Sequence, residues 1–354
     1  MVLLLFALLL PTDSVQILSH TETYKPFVYN VAVLENGHIY FINSEKQVIH
    51  FDESGKKIGS FGGEGDGPGE FRMPIYLGVQ NQTVWVYDIL KGAASEFTLD
   101  GELKHVYQSE KVGSRIVKTA VGYAFEKYFL GESSPAKINL VDQTLKEITT
   151  VMEWTPEWIH PGRVARLGER VSKVNPAKEQ IRLVSDPTGK FLYITHPGLS
   201  FKITVFDVMK GKISHHIKRD DQAVPFNKEW GMAQIKKGAG GASLDAPKYF
   251  PLIRGLSVSP SGKLVVVKWT WDPDIKDHFL VLDHHGKEAT LNYAPQNQGR
   301  VIAIYSDTAY LSGYDDESGE ATIIKCSSDK IDQTINHHPL VYQKKKKLWS
   351  PVKL

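Results

Sequence analysis

The residue types best suited to recognition or catalysis gather in two long stretches and one short one. Residues 152–180 hold Trp154, Trp158, His160 and Arg163, with Arg166 and Arg170 further on. Residues 218–251 hold Phe226, Trp230, Lys236, Lys237, Tyr249 and Phe250. Aromatic rings interleaved with Arg and Lys suit a recognition surface, because rings supply area at low entropic cost and the cations select anionic or planar groups. A structural alternative stands beside this: Trp154 and Trp158, four residues apart, have the spacing that pins one face of a short helix onto a sheet edge. Trp269, Trp271, Asp272, Asp274 and His278 form the third group, and His196 lies between the two long stretches.

Other chemistries find less in the chain. No Gly-x-Ser-x-Gly elbow is present to mount a hydrolytic serine. His215-His216, His284-His285 and His337-His338 are adjacent pairs, and neighbours on a strand point to opposite faces, so one pair rarely supplies two metal ligands. Asn30, Asn175 and Asp186 are the oxygen donors roughly placed for a calcium site. Cys326 is the sole cysteine, which excludes an intramolecular disulfide and a cysteine-based zinc cluster. Gly62 to Gly69 could suggest a phosphate cradle, but such a loop should open a helix, and here Pro74 and another β-rich run follow. Neither a metal nor a cofactor is expected.

The elements that must position these residues form a repeat. Its clearest unit runs Val28 to Leu34, His38 to Ile42, Gln47 to Asp52 and Lys56 to Phe61, with turns at Asn36-Gly37 and Ser54-Gly55. Four short β-rich runs between Gly, Asn and Asp turns predict a four-stranded antiparallel meander, which is one blade of a propeller. The same grammar recurs five more times, through Thr83–Tyr107, Gly122–Val151, Asp186–His216, Ser259–Gly286 and Val301–Cys326. Asp52, Asp100, Asp142, Asp207 and Asp283 each close a strand before a turn, so they read as turn-formers that bond the backbone two residues on, and not as catalytic acids. Residues 16–24 are expected to form a strand that completes the last blade, because closure removes an exposed edge.

Gly62-Gly-Glu-Gly-Asp-Gly-Pro-Gly-Glu-Phe71, with Pro74 after it and Phe51-Asp52-Glu-Ser-Gly55 before it, resembles the junction between two NHL repeats. The resemblance implies an all-β, six-bladed β-propeller of the NHL-repeat-like or TolB-like kind, with four-stranded antiparallel blades. In that layout the links between blades share a face with the loops between second and third strands. The insertions 152–180 and 218–251 flank the fourth blade and should meet above it. The candidate ligand-binding residues are therefore Trp154, Trp158, His160, Arg163, His196, Trp230, Lys237, Trp269, Trp271 and Asp272.

The apolar run Met1 to Leu10, followed by Pro-Thr-Asp-Ser14, is of signal-peptide length and too short to span a bilayer. Residues 1–14 are thus expected to be a signal peptide, 15–340 a single propeller domain and 341–354 a basic tail, in a secreted or periplasmic monomer. With 42 Lys and Arg against 40 Asp and Glu, no global field recommends nucleic acid as a partner. The preferred function is a binding protein that recognises a protein segment, a glycan or a small molecule on the face carrying the long loops. The alternative is a hydrolase or lyase of the calcium-dependent lactonase or gluconolactonase-like type, and a structural subunit of an envelope complex is a third reading.

Overall fold

The computed structural model describes residues 14–20, 31–34, 36–43, 45–108, 115–127, 136–154, 173–174, 181–196, 200–221, 224–229, 232, 243–244, 248–259, 261–268, 275–295, 300–305, 308–314 and 321–327. The named elements among them are all β-strands. Ser14–His20 (β1) comes first. A meander of Val31–Val33 (β2), Ile39–Ile42 (β3), Gln47–Phe51 (β4) and Lys57–Gly62 (β5) follows, hydrogen-bonded in chain order. Pro74–Gln80 (β6), Thr83–Asp88 (β7), Ala93–Thr98 (β8) and Leu103–Gln108 (β9) repeat the pattern, as do Arg115–Lys118 (β10), Gly122–Lys127 (β11), Ala136–Asp142 (β12) and Glu147–Trp154 (β13).

Beyond Lys173–Val174 (β14), Leu183–Ser185 (β15), Phe191–Thr195 (β16), Phe201–Asp207 (β17) and Lys212–Arg219 (β18) form the fourth meander. Ser243–Leu244 (β19) precedes a fifth, made of Ile253–Val258 (β20), Leu264–Lys268 (β21), Ile275–Leu282 (β22) and Glu288–Pro295 (β23). Arg300–Tyr305 (β24), Thr308–Tyr314 (β25) and Ala321–Ser327 (β26) are the last three strands, and β1 pairs antiparallel with β26 to complete their sheet.

The expectation of a six-bladed propeller of the NHL-repeat-like or TolB-like kind is corrected by this topology. Five four-stranded meanders are contiguous in sequence, and the C-terminal run supplies only three strands. The physical reason is edge protection: β26 would otherwise expose a row of unpaired backbone groups, and the N-terminal strand covers it. What stands is an all-β fold of propeller blades; the six-repeat NHL-like or TolB-like assignment does not.

Inner strands read as continuous apolar runs because both their faces are covered. All of β3 and β7 is buried, whereas the outer strands β5 and β9 alternate and leave Ile58 and Val106 exposed. The chain divides into two compact units, 1–108 with 257–265 and 272–354, and 109–256 with 266–271. In the first, Tyr40, Ile42 and Val48 pack against Phe71, Leu77, Val86 and Phe97. In the second, Ala124, Ile138 and Leu140 pack against Leu183, Leu192, Ile194 and Phe206. Each such side chain contributes roughly 1.5–3 kcal/mol by leaving water.

The turn-forming aspartates do what their spacing implies. Asp52 Oδ1 accepts from the N–H groups of Ser54 (2.9 Å) and Lys56 (3.0 Å), and Asp142 and Asp283 cap their turns in the same way. These bonds hold the carboxyls of all three below the usual carboxylate range, the Ser54 and Thr144 hydroxyls leading at Asp52 and Asp142 and the Lys287 amide at Asp283. Asp100 is the exception: Thr98 Oγ1 accepts the Glu102 N–H at 3.0 Å and occupies the position that Asp52 holds in the first meander.

Candidate functional site

Three chain segments meet at one end of the fourth meander: the entry to β15, the crossing from β16 to β17, and the exit from β18. Both long insertions begin or end here. The first joins β13 to β15 and the second joins β18 to β20, and their backbones touch, because β14 pairs parallel with β19 through Lys173 opposite Ser243 and Val174 opposite Leu244. The second insertion is also closed at its neck. Phe226 N–H donates to Lys248 O (3.1 Å), Phe250 N–H donates to Val224 O (2.8 Å), and the two phenyl rings lie 4.8 Å apart.

On the sheet face turned toward β11 and β12, a polar row continues the apolar one. Ile194, Thr204 and His216 lie opposite one another across β16, β17 and β18. His196 is two residues beyond Ile194 and so shares its face. His196 Nε2 and Thr204 Oγ1 are 2.5 Å apart, and His216 Nδ1 reaches the same hydroxyl at 3.1 Å. One hydroxyl has one proton to donate and two lone pairs, so at most one imidazole receives a hydrogen bond from Thr204 and at least one donates to it. Burial, with Lys202 and then His216 adding to it, pulls His196 down to about 4, and burial likewise lowers His216. Both rings are therefore neutral at pH 7, poised as donors and acceptors and not as cations.

Ion pairs lie on the opposite face and at the rim. Asp221 Oδ2 pairs with Lys268 Nζ at 3.1 Å and Asp221 Oδ1 with Arg219 Nε at 3.5 Å, while the Arg219 guanidinium lies 5.8 Å from the centre of the Phe201 ring. Arg182 donates through Nε and Nη2 to Arg254 O at 3.1 and 2.8 Å, which ties the start of β15 to the start of β20. Residues 152–268 contain 19 Lys and Arg against 10 Asp and Glu, a net +9, whereas the rest of the chain contains 23 against 30. The near-neutral total hides a strongly segregated charge.

Two of the sequence-derived candidates lie in the described residues. Trp154 ends β13 and packs, half-buried, on the cluster that includes Ile194, so Trp154 and His196 belong to the same junction between the third and fourth meanders. Trp158, His160, Arg163, Trp230, Lys237, Trp269, Trp271 and Asp272 lie outside the described residues, as do Asn30 and Asn175. Asp186, the third possible calcium donor, sits at the other end of the fourth meander. Its carboxylate accepts from the N–H groups of Phe191 (2.7 Å) and Thr188 (3.1 Å) and serves its own turn. Among the described residues no group of three or more His, Cys, Asp and Glu side chains could hold a metal, and no helix is long and apolar enough to cross a membrane.

Sequence reasoning missed Thr204 and Arg182, and weighed His216 only as one half of an adjacent histidine pair. Thr204 had a readable signal, being a hydroxyl in the apolar run Ile203-Thr-Val-Phe206, and it is 2% exposed. The glycine-rich junction is also clarified: it is no phosphate cradle, since it offers carbonyls. The Asp66, Gly67 and Glu70 oxygens accept from Lys91 Nζ at 3.2, 3.0 and 3.0 Å.

Fold and site together define a propeller-type scaffold with one elaborated end. The chain matches no protein family and no curated protein. Among solved structures it is similar to one named as an exported protein of Bacteroides fragilis, with a TM-score of 0.54 and 11% identity over 90% of this chain and 94% of that one. A member of the DUF4221 family from Bacteroides vulgatus gives the same score and identity over 89% and 98%. At such identity the likeness speaks for the fold.

Proposed function

We propose that this protein is an exported binding protein that recognises a protein segment, glycan or small molecule at the elaborated end of the fourth meander. One observation carries the reading: the two long insertions pair backbone to backbone through β14 and β19, which gives two loops from opposite flanks of one blade a common structure. Paired loops on a rigid scaffold are where recognition residues concentrate. Trp154, Trp158, His160, Arg163, His196, Trp230, Lys237, Trp269, Trp271 and Asp272 remain the proposed contacts. Export is supported by the apolar start of the sequence and by the likeness to a structure named as an exported protein. The calcium-dependent hydrolase alternative has less support, because Asp186 is already used in its turn.

The test replaces 155–180 and 227–247 by four-residue linkers and compares the variant with the intact protein on peptide and glycan arrays. Array ligands of the intact protein should be lost on the variant. Retention of the same ligands, or calcium-dependent lactone hydrolysis by both proteins, would overturn the reading.

A further inference from the structure

Resting on that reading and naming its partner, we infer that the site takes an acidic protein segment in extended conformation, added as a third strand beside β14 and β19. The first ground is electrostatic. Residues 152–268 carry a net +9 while the remainder of the chain carries a net −7, so the field of this region favours a polyanion. Its 10 acidic residues are interspersed among the 19 basic ones. That density suits spaced carboxylates better than the closely spaced phosphates of a nucleic acid, which call for many contacts per length.

The second ground is the backbone. A two-residue parallel ladder is far below what makes a sheet stable by itself, and among the described residues no third strand pairs with it. An extended peptide can supply that strand through its own N–H and C=O groups, with main-chain bonds giving affinity and alternate side chains giving selectivity. A polysaccharide has no amide ladder to offer. Lys202 and Lys218, which flank the neutral His196 and His216 row, can attract carboxylates to this end of the blade, while the uncharged imidazoles and Thr204 serve as hydrogen-bonding groups at pH 7.

Calorimetry on the full chain tests this with a ten-residue Glu-Val alternating peptide, the same peptide N-methylated at every second residue, polygalacturonate, and a single-stranded DNA 10-mer. The unmodified peptide should bind at micromolar concentration, with at least a tenfold loss between 50 and 300 mM salt. N-methylation should weaken it tenfold or more, and so should Val174→Pro, because proline has no N–H to offer a strand on either side of β14. Lys218→Glu, on an exposed position, should weaken it about fivefold and serves if Val174→Pro fails to fold. Equal binding of the N-methylated peptide, stronger binding of polygalacturonate or DNA, or no peptide binding would overturn the inference. Binding of the N-methylated peptide or of polygalacturonate that is lost on removing the insertions would leave the broader assignment intact, whereas stronger binding of DNA would overturn that as well.

Discussion

The link between the first two meanders and the links around the fourth do the same topological job in opposite ways. Residues 62–73 close on themselves. Lys91 fills the carbonyl cage, Glu70 Oε2 accepts the Gly67 N–H at 2.7 Å, Asp66 pairs with Arg72, and Asp88 accepts the N–H groups of Arg72, Met73 and Lys91 at 2.6, 2.9 and 2.9 Å. Gly62 is needed there because its φ is +79° and a Cβ would stand 2.4 Å from the Phe71 ring. The fourth meander instead ends in a histidine-threonine row, ion pairs at the rim and loops that, among the described residues, meet through β14 and β19. A connection that satisfies its own polar groups is structural; the end that carries the neutral imidazoles and the paired loops is where the proposed partner would bind.

The largest effect should come from breaking the closed link. Asp88 is 1% exposed, and Asp88→Ala strands three backbone N–H groups in a packed junction. Each such loss costs about 1–3 kcal/mol, so a destabilisation of about 3 kcal/mol or more is expected in urea titrations. Lys91→Met should follow at about 2 kcal/mol, because three carbonyls lose a charged donor. A change below 1 kcal/mol in both would remove the contrast between the two regions.

A pH titration addresses the other region. His196 sits at about 4 in the folded protein against an ordinary value of 6.5, so between those values the unfolded chain binds a proton that the native state excludes. Its contribution is complete above pH 6.5 and is lost as pH falls toward 4. His196→Gln should flatten that part of the stability profile by on the order of 1 kcal/mol, the figure being reduced for partial exposure. Among the described residues, His50 and His216, which burial also lowers, contribute to the slope that remains. An unchanged profile in His196→Gln would mean that the ring is solvated and free to charge.

Much of the fold was legible because it is local. Alternating runs and Asp-x-Ser/Thr-x-Lys turns report strands and caps directly, even where Leu145 takes the left-handed turn position, at φ +64°, that Gly55 and Gly286 fill elsewhere. The completing N-terminal strand was also readable, with its bounds at Ser14–His20 in place of 16–24. The pairing joins strands some 300 residues apart, which no local pattern reports, and it was expected only because closure removes an exposed edge. Asp100 misled because residue type was weighed above register: Thr98 holds the capping position. Thr98→Ala should therefore cost about 1 kcal/mol, and Asp100→Ala should stay within about 0.5 kcal/mol. The site was legible as loop length and composition, whereas the Thr204 row needed strand register that sequence alone does not supply.

The smallest effect is expected where the contrast is sharpest. The second insertion leaves and re-enters the fold through a neck that is already closed by backbone bonds between 224–226 and 248–250, with Pro225 bridged to Tyr249 and Phe250 only 1% exposed. Replacing 228–247 by a four-residue turn keeps every one of those contacts. Loop-closure entropy changes slowly with length and in this direction favours the folded state slightly. Among the described residues, the pairing lost is that of β19 with β14, at about 1 kcal/mol each for its hydrogen bonds. The two terms nearly offset, so the melting temperature should move by no more than about 3 °C, given that 1 kcal/mol shifts a protein of this size by roughly 2 °C. The matching operation on the first link, with 63–70 replaced by the same turn, removes the carbonyl cage and the Glu70 bond and should lower the melting temperature several times further. Equal losses from the two excisions would show that the second insertion is as much a part of the blade core as the glycine-rich link.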